Sequence, residues 1–188
     1  MQILFAHSTI GSAVATVHRD DGVVLQIPAH DRQHRVPHEL ACFATERCLG
    51  MTGGVFGSIA AGGVFPNMRL LSGKPRYDAA ARSKRLLDAN KRALGLAELI
   101  ADVVHRAVEE GDTTKVPVLT RDAWALLDSG PFPWTDEQVN EAVQDLLELA
   151  EEWEGQGAVR VTWPEQLVAA VPAQREGKKG RRRAERRH

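Results

Sequence analysis

Apolar and polar positions alternate near the start of the chain. Val23, Leu25 and Ile27 share one parity, with Val24 and Gln26 between them. A period of two marks a half-buried strand. Ser12–Arg19 reads as its partner across Asp20-Asp21-Gly22, a turn in which Gly supplies a positive φ. Gln2–Ala6 adds a third strand by the same pattern.

The pattern then becomes helical. Pro37 suits a first helical turn, where its missing N–H costs nothing. A helix is predicted from about His38 to Leu49, with Gly50 as its stop. At about 100° per residue, Leu40, Phe43, Ala44 and Cys48 form one face, and His38, Glu39, Cys42, Thr45 and Glu46 the other. The small residues of 50–63 predict a short helix or turn packed closely on another backbone. Close packing through Gly53, Gly57 and Ala61 explains them better than nucleotide binding, because no Lys-Ser or Lys-Thr follows the glycines. Residues 64–77 read as an irregular loop.

A long helix is predicted over about Asp78 to Glu110, roughly 50 Å if Gly95 does not divide it. Leu86, Leu94, Ile100, Val104 and Val108 lie on its apolar stripe, and its first half is basic. Thr120 is placed as the cap of a short helix over 121–128, and 129–133 as a breaker. Thr135 and Gln138 form a capping box for a helix reaching about Trp153. Gly155-Gln156-Gly157 then turns the chain into a last strand, Ala158–Trp163, closed by Pro164 and free to pair with the hairpin. Strands at both ends and helices between predict an α+β fold. It is a small antiparallel sheet, the N-terminal hairpin plus the C-terminal strand, with helices on one face, one of them long.

Charge divides the 188 residues unevenly. Residues 175–188 hold eight Lys/Arg and two acids, net +6, whereas the rest carries 16 basic and 23 acidic residues, net −7. Such a run has little to bury and is expected to be disordered. The organisation predicted is one domain over 1–172 and a disordered basic tail over 173–188. No run approaches the roughly 18 apolar residues needed to span a membrane. The N-terminus lacks the basic start of a signal peptide. Cys42 and Cys48, six apart on one helix, point away from each other and should not bridge. Two unpaired thiols predict a cytoplasmic protein.

The stretch richest in chemistry is 30–42, where His30, His34, His38 and Cys42 recur every four residues. His38 and Cys42 stand at i, i+4 on the helix, and Glu46 one further turn along. Imidazole, thiolate and carboxylate all suit Zn²⁺. His38-Glu39-x-x-Cys42 imitates a zincin helix with Cys for the second His. His34, His38, Cys42 and Glu46 are thus the candidate metal ligands, with Zn²⁺ the candidate cofactor. Against this, Pro37 interrupts the spacing, and neither a paired-His motif nor a full structural-zinc set is present. Without a metal, His34 is a solvated loop residue and Cys42 a small, partly buried one. No nucleophile elbow occurs.

In the tail, Arg181, Arg182, Arg183, Arg186 and Arg187 are candidates for contacting nucleic acid through phosphates. The basic part of the long helix extends that footprint, unless it pairs with the acidic helix 136–153.

The run Val36-Pro37-His38-Glu39-Leu40 through Glu46, then Leu49-Gly50 and Phe56-Gly57…Ala60-Ala61-Gly62, resembles an uncharacterised bacterial family. That family has a hairpin start, a Pro-His-acid-Leu-x-His-Phe helix and a Trp-Pro finish, matched here by Trp163-Pro164. The resemblance covers most of 12–164. Cys42 stands where the family pattern has His. The resemblance implies a fold and no activity.

Two functions remain. One is a non-enzymatic interaction or regulatory protein that contacts a protein partner or, through its tail, nucleic acid. This reading is the preferred one, because it requires no unobserved ligand. The other is a metal-binding protein or metal-dependent hydrolase centred on the His38 helix.

Overall fold

The computed structural model describes residues 1–8, 11–28 and 34–173. The first strands are β1 (Gln2–His7), β2 (Ala13–His18) and β3 (Val24–Pro28). They are followed by α1 (His38–Cys48), α2 (Val55–Ala60) and β4 (Arg69–Ser72). Then come α3 (Ala79–Glu110), α4 (Val116–Leu127), α5 (Asp136–Gln156) and β5 (Ala158–Thr162), with a 3-10 turn at Glu165–Leu167. The sheet has the order β4-β3-β2-β1-β5, every pair antiparallel. This is the expected α+β architecture, one strand wider than the sequence reading. No helix among the described residues is long and apolar enough to cross a membrane. Of the tail, only Ala173 is described; the candidate arginines lie outside the described residues, as does His30.

Register explains the core. Ile3 stands opposite Val17 on one side and Val161 on the other, and Phe5 opposite Ala15 and Val159. These residues, with Leu25 and Ile27 of β3, are buried on the face that carries the helices. Phe5, Phe43, Phe56 and Trp163 meet there, mostly edge to face, with ring centroids 5.4–6.2 Å apart. The Trp of the Trp-Pro pair is thus a core residue, and its indole N–H donates to the Leu167 carbonyl at 3.0 Å.

Two local expectations need correction, and two points left open by the sequence are answered. Residues 64–77 contain β4, whose four exposed residues hide its pairing to β3 from any burial pattern. Gly95 does not divide α3, which runs unbroken for 32 residues. A Cβ there would lie 3.1 Å from Leu127 Cδ1, so the glycine admits α4 at close range. Thr120 is not a cap: α4 starts at Val116 with Pro in its first turn, and the Thr120 hydroxyl donates back to the Val116 carbonyl at 2.9 Å. Among the described residues, no ion pair joins the basic half of α3 to α5. The α5 acids Asp136 and Asp145 meet Arg121 and Arg47, while Lys84 and Arg92 of α3 meet Asp88 and Asp128.

Other expectations match the structure. The capping box at Thr135 and Gln138 is formed. The glycine run is tightly packed: a Cβ on Gly57 would lie 2.0 Å from the Thr52 carbonyl oxygen, and one on Gly53 2.8 Å from Ala93 Cβ. Neither cysteine forms a disulfide.

Candidate metal centre

Helix α1 packs against both α3 and α5, which buries far more of it than a single stripe. Every residue from Leu40 to Glu46 is buried. Cys42 and Glu46, expected on a polar face, are therefore interior. The reason lies outside the helix: its polar face meets α3 rather than water.

Glu46 is not with the other candidates. Its Oε1 accepts the Val55 N–H at 2.7 Å and its Oε2 the Phe56 N–H at 2.9 Å. The carboxylate caps the start of α2, as the missing side chain at Gly54 allows. A Cβ on Gly54 would lie 2.3 Å from Glu46 Cδ. Burial pushes the Glu46 pKa up to about 8, against the pull of the backbone donors. Both oxygens are committed, so Glu46 is withdrawn as a ligand.

Its place is taken by Glu98 of α3. His38 Nε2 lies 2.9 Å from Glu98 Oε1 and 3.4 Å from Cys42 Sγ, and Sγ lies 4.0 Å from Glu98 Oε2. One ligand atom from each of the three falls within 4.8 Å of the others. A tetrahedral zinc with ordinary bond lengths sets such atoms about 3.3–3.6 Å apart. The triangle is already close to that size.

Behind His38 stands His105, 3% exposed. His105 Nε2 donates to the Val36 carbonyl at 2.8 Å. Its Nδ1 is then the acceptor, and His38 Nδ1, 3.4 Å away, is the donor. This fixes the His38 ring with Nε2 toward Cys42 and Glu98. A metal-binding histidine commonly donates its second N–H in this manner.

The electrostatics are consistent. The Glu98 carboxylate raises the His38 pKa, and His38 lowers that of Glu98. Burial, then nearby carboxylates, hold the Cys42 thiol well above its usual range. Burial lowers the His105 pKa, favouring the neutral ring its hydrogen bonds require. Cys48 sits apart, its thiol pushed up to about 12 chiefly by burial.

His34 does not join His38 and Cys42. It lies 4.8 Å from His105, ring to ring, and its Nδ1 is 3.8 Å from Glu109 Oε2. His34, His105 and Glu109 form a second cluster. Its chemistry is committed to the backbone entering α1, since Glu109 accepts the Arg35 and Val36 N–H groups at 3.1 and 2.8 Å.

The three-residue triangle opens on a cavity of about 490 Å³. Ile27, Val55, Phe56, Phe65 and Met68 give it apolar walls, and Glu39 and Asn67 add polar groups. Glu98 is the exposed member and Cys42 the buried one.

Sequence reasoning missed Glu98 and His105. Both come from a helix more than 50 residues further on, so no local spacing carries them. One signal was present: Glu98, Asp102 and His105 recur at i, i+4, i+7, a polar stripe beside the apolar one. Comparison with protein-family models, with curated proteins and with solved structures finds no match for this chain.

Proposed function

We propose that the protein is a metal-binding protein whose ion, Zn²⁺ by preference, is held by His38, Cys42 and Glu98. The observation that carries this reading is the triangle itself: three different donors, from two helices, at near-coordination spacing. A thiolate, an imidazole and a carboxylate suit Zn²⁺ better than Mg²⁺ or Ca²⁺, which take oxygen. Three protein ligands leave a fourth position for water or substrate, the arrangement of catalytic rather than structural zinc. His38, Cys42 and Glu98 all line the 490 Å³ cavity, which would give a substrate access to such a metal. Zinc so held brings the pKa of bound water to about 7, which supports metal-assisted hydrolysis of a ligand seated between the apolar walls. Glu39, the residue after His38, also lines the cavity and supplies a carboxylate for proton transfer.

The test is metal analysis of the full chain after purification without chelator, and after dialysis against Zn²⁺. One equivalent is expected in the wild type, with loss in His38→Ala, Cys42→Ser and Glu98→Gln. Co²⁺ substitution adds a signature: a thiolate-to-metal absorption band that Cys42→Ser abolishes. A wild type that takes up no ion, or Cys42→Ser retaining the band, overturns the reading. The interaction reading rests on the long helix and the basic tail, and the sequence alone supports it.

A further inference from the structure

β4 is an edge strand, paired to β3 on one side only. The N–H and C=O groups on its outer side have no hydrogen-bond partner among the described residues. All four of its residues are exposed, with Leu70 at 51% and Leu71 at 50%. Leu70 stands opposite Leu25, which is buried on the face that carries the helices. Directly opposed residues share a face, so Leu70 carries the apolar face of the sheet one strand past β3, where nothing covers it. Leu71 is the extra residue of a bulge between Leu70 and Ser72.

A second cavity, about 610 Å³, is built from the chain on both sides of this strand. Val64, Phe65 and Met68 before β4, Pro75 after it, and Ala80 and Leu87 of α3 give it apolar walls. Tyr77, between Pro75 and α3, is fully exposed. An open strand edge beside an apolar hollow suits an extended segment of chain. Main-chain bonds along the edge supply affinity, and the hollow takes alternate side chains.

Charge says what that segment carries. Arg76 pairs with Asp78 at 3.5 Å, and Lys84 with Asp88 at 3.1 Å. Arg69 and Lys74, on either side of the two leucines, are exposed and have no ion pair among the described residues. Arg69 stands opposite Gln26, on the face away from the helices. The surplus at this edge is therefore positive. A second copy would bring Arg69 and Lys74 against their own counterparts, and a short, bulged, basic edge is a common guard against such self-pairing. The basic tail of the chain is repelled in the same way. An acidic segment is attracted.

We propose that the free edge of β4 binds an extended segment of another protein, alternating apolar and acidic residues, as a sixth strand. Its apolar side chains lie beside Leu70 and over the hollow against α3. Its acidic side chains, on the other face, meet Arg69 and Lys74. The proposal does not rest on the metal reading.

The test is an amide-shift titration of the isotope-labelled full chain at constant ionic strength. Three synthetic heptapeptides serve as probes: one alternating Glu and Val, one alternating Lys and Val, and the Glu peptide with every backbone nitrogen methylated. The Glu peptide should give saturable shifts at Leu70, Leu71, Ser72 and Ala80. The Lys peptide should bind there at least about ten-fold more weakly, and the methylated peptide should not bind there, since it cannot donate to the strand edge. The tail attracts both acidic peptides alike, and the residue-by-residue readout keeps its shifts apart from those of β4. Leu70→Glu, at an exposed position, should weaken the Glu peptide about ten-fold through lost apolar contact and like charge. Absence of saturable shifts at β4, or equal shifts there from the Lys or the methylated peptide, overturns the proposal. So does a dimer of the free chain that Leu70→Glu dissociates, because the edge would then belong to a second copy.

Discussion

His38 Nδ1 and His105 Nδ1 lie 3.4 Å apart, and the Val36 carbonyl decides which of them carries the proton. Because His105 spends its Nε2–H on that carbonyl, its Nδ1 can only accept. The His38 ring is thereby held in one orientation with one tautomer. His105→Ala should leave His38, Cys42 and Glu98 in place and still weaken metal binding by about 10–100-fold, the usual cost of losing such a supporting bond. Competition against a chelator of known affinity measures it. His105→Gln, which keeps a donor for Val36, should recover part of the loss.

Metal binding at this centre should strengthen steeply as pH rises. Both nitrogen and sulfur must be bare to coordinate. The carboxylate of Glu98 raises the His38 pKa above its ordinary 6.5, so the imidazolium persists to higher pH and competes with the ion. Burial likewise keeps Cys42 protonated until the metal displaces its proton. Each bound ion should release about two protons near pH 6 and fewer at higher pH, as His38 deprotonates on its own. Calorimetry in buffers of different ionisation enthalpy counts them. Release of none would mean that neither His38 nor Cys42 is a ligand.

Glu46 and Gly54 form a structural pair, and their substitution tests stability rather than binding. Gly54→Ala drives a methyl group into the Glu46 carboxylate. It should destabilise the fold by about 2–4 kcal/mol through overpacking and loss of the two Glu46 hydrogen bonds to α2. The pH response follows from the raised pKa. Glu46 binds its proton more tightly folded, at about 8, than at its ordinary 4.5. Its contribution is therefore fully present below about pH 4.5 and declines as pH rises to about 8. Urea unfolding at pH 5 and pH 8 should show that decline in the wild type and a smaller one in Glu46→Gln.

These residues also show what the sequence could carry. The i, i+4 spacing of His38 and Cys42 is a local fact and was legible. Glu46 has the same helical arithmetic and was misassigned, because spacing says which residues share a face and not what covers that face. Its partner is the backbone of α2, reached through a glycine whose purpose appears only in three dimensions. Glu98 and His105 were hidden by chain separation. For the fold, the alternation around Gly22 and the capping box at Thr135 are short-range signals and were readable. The four exposed residues of β4 contribute no burial pattern, and their pairing with β3 is a tertiary event. Gly95 reads as a breaker because propensity disfavours it by about 1 kcal/mol, and the close approach of Leu127 of α4 that calls for a glycine there is a tertiary contact.

The basic tail gives the last prediction. Residues 175–188 carry net +6 against −7 elsewhere, and Glu137, Glu141, Glu148 and Glu151 on the exposed side of α5 place part of that negative charge at the surface. The body should therefore repel a duplex, so any duplex binding by the full chain resides in the tail. At low salt the full chain should bind a generic duplex weakly and without sequence preference, and a chain ending at residue 173 should not bind. Log affinity should fall linearly with log salt, with a slope set by the tail arginines and lysines that reach phosphate. Replacing Arg181, Arg182 and Arg183 with Gln should reduce that slope by up to about three units. Equal binding by the full and shortened chains would remove nucleic acid from the functions of the tail.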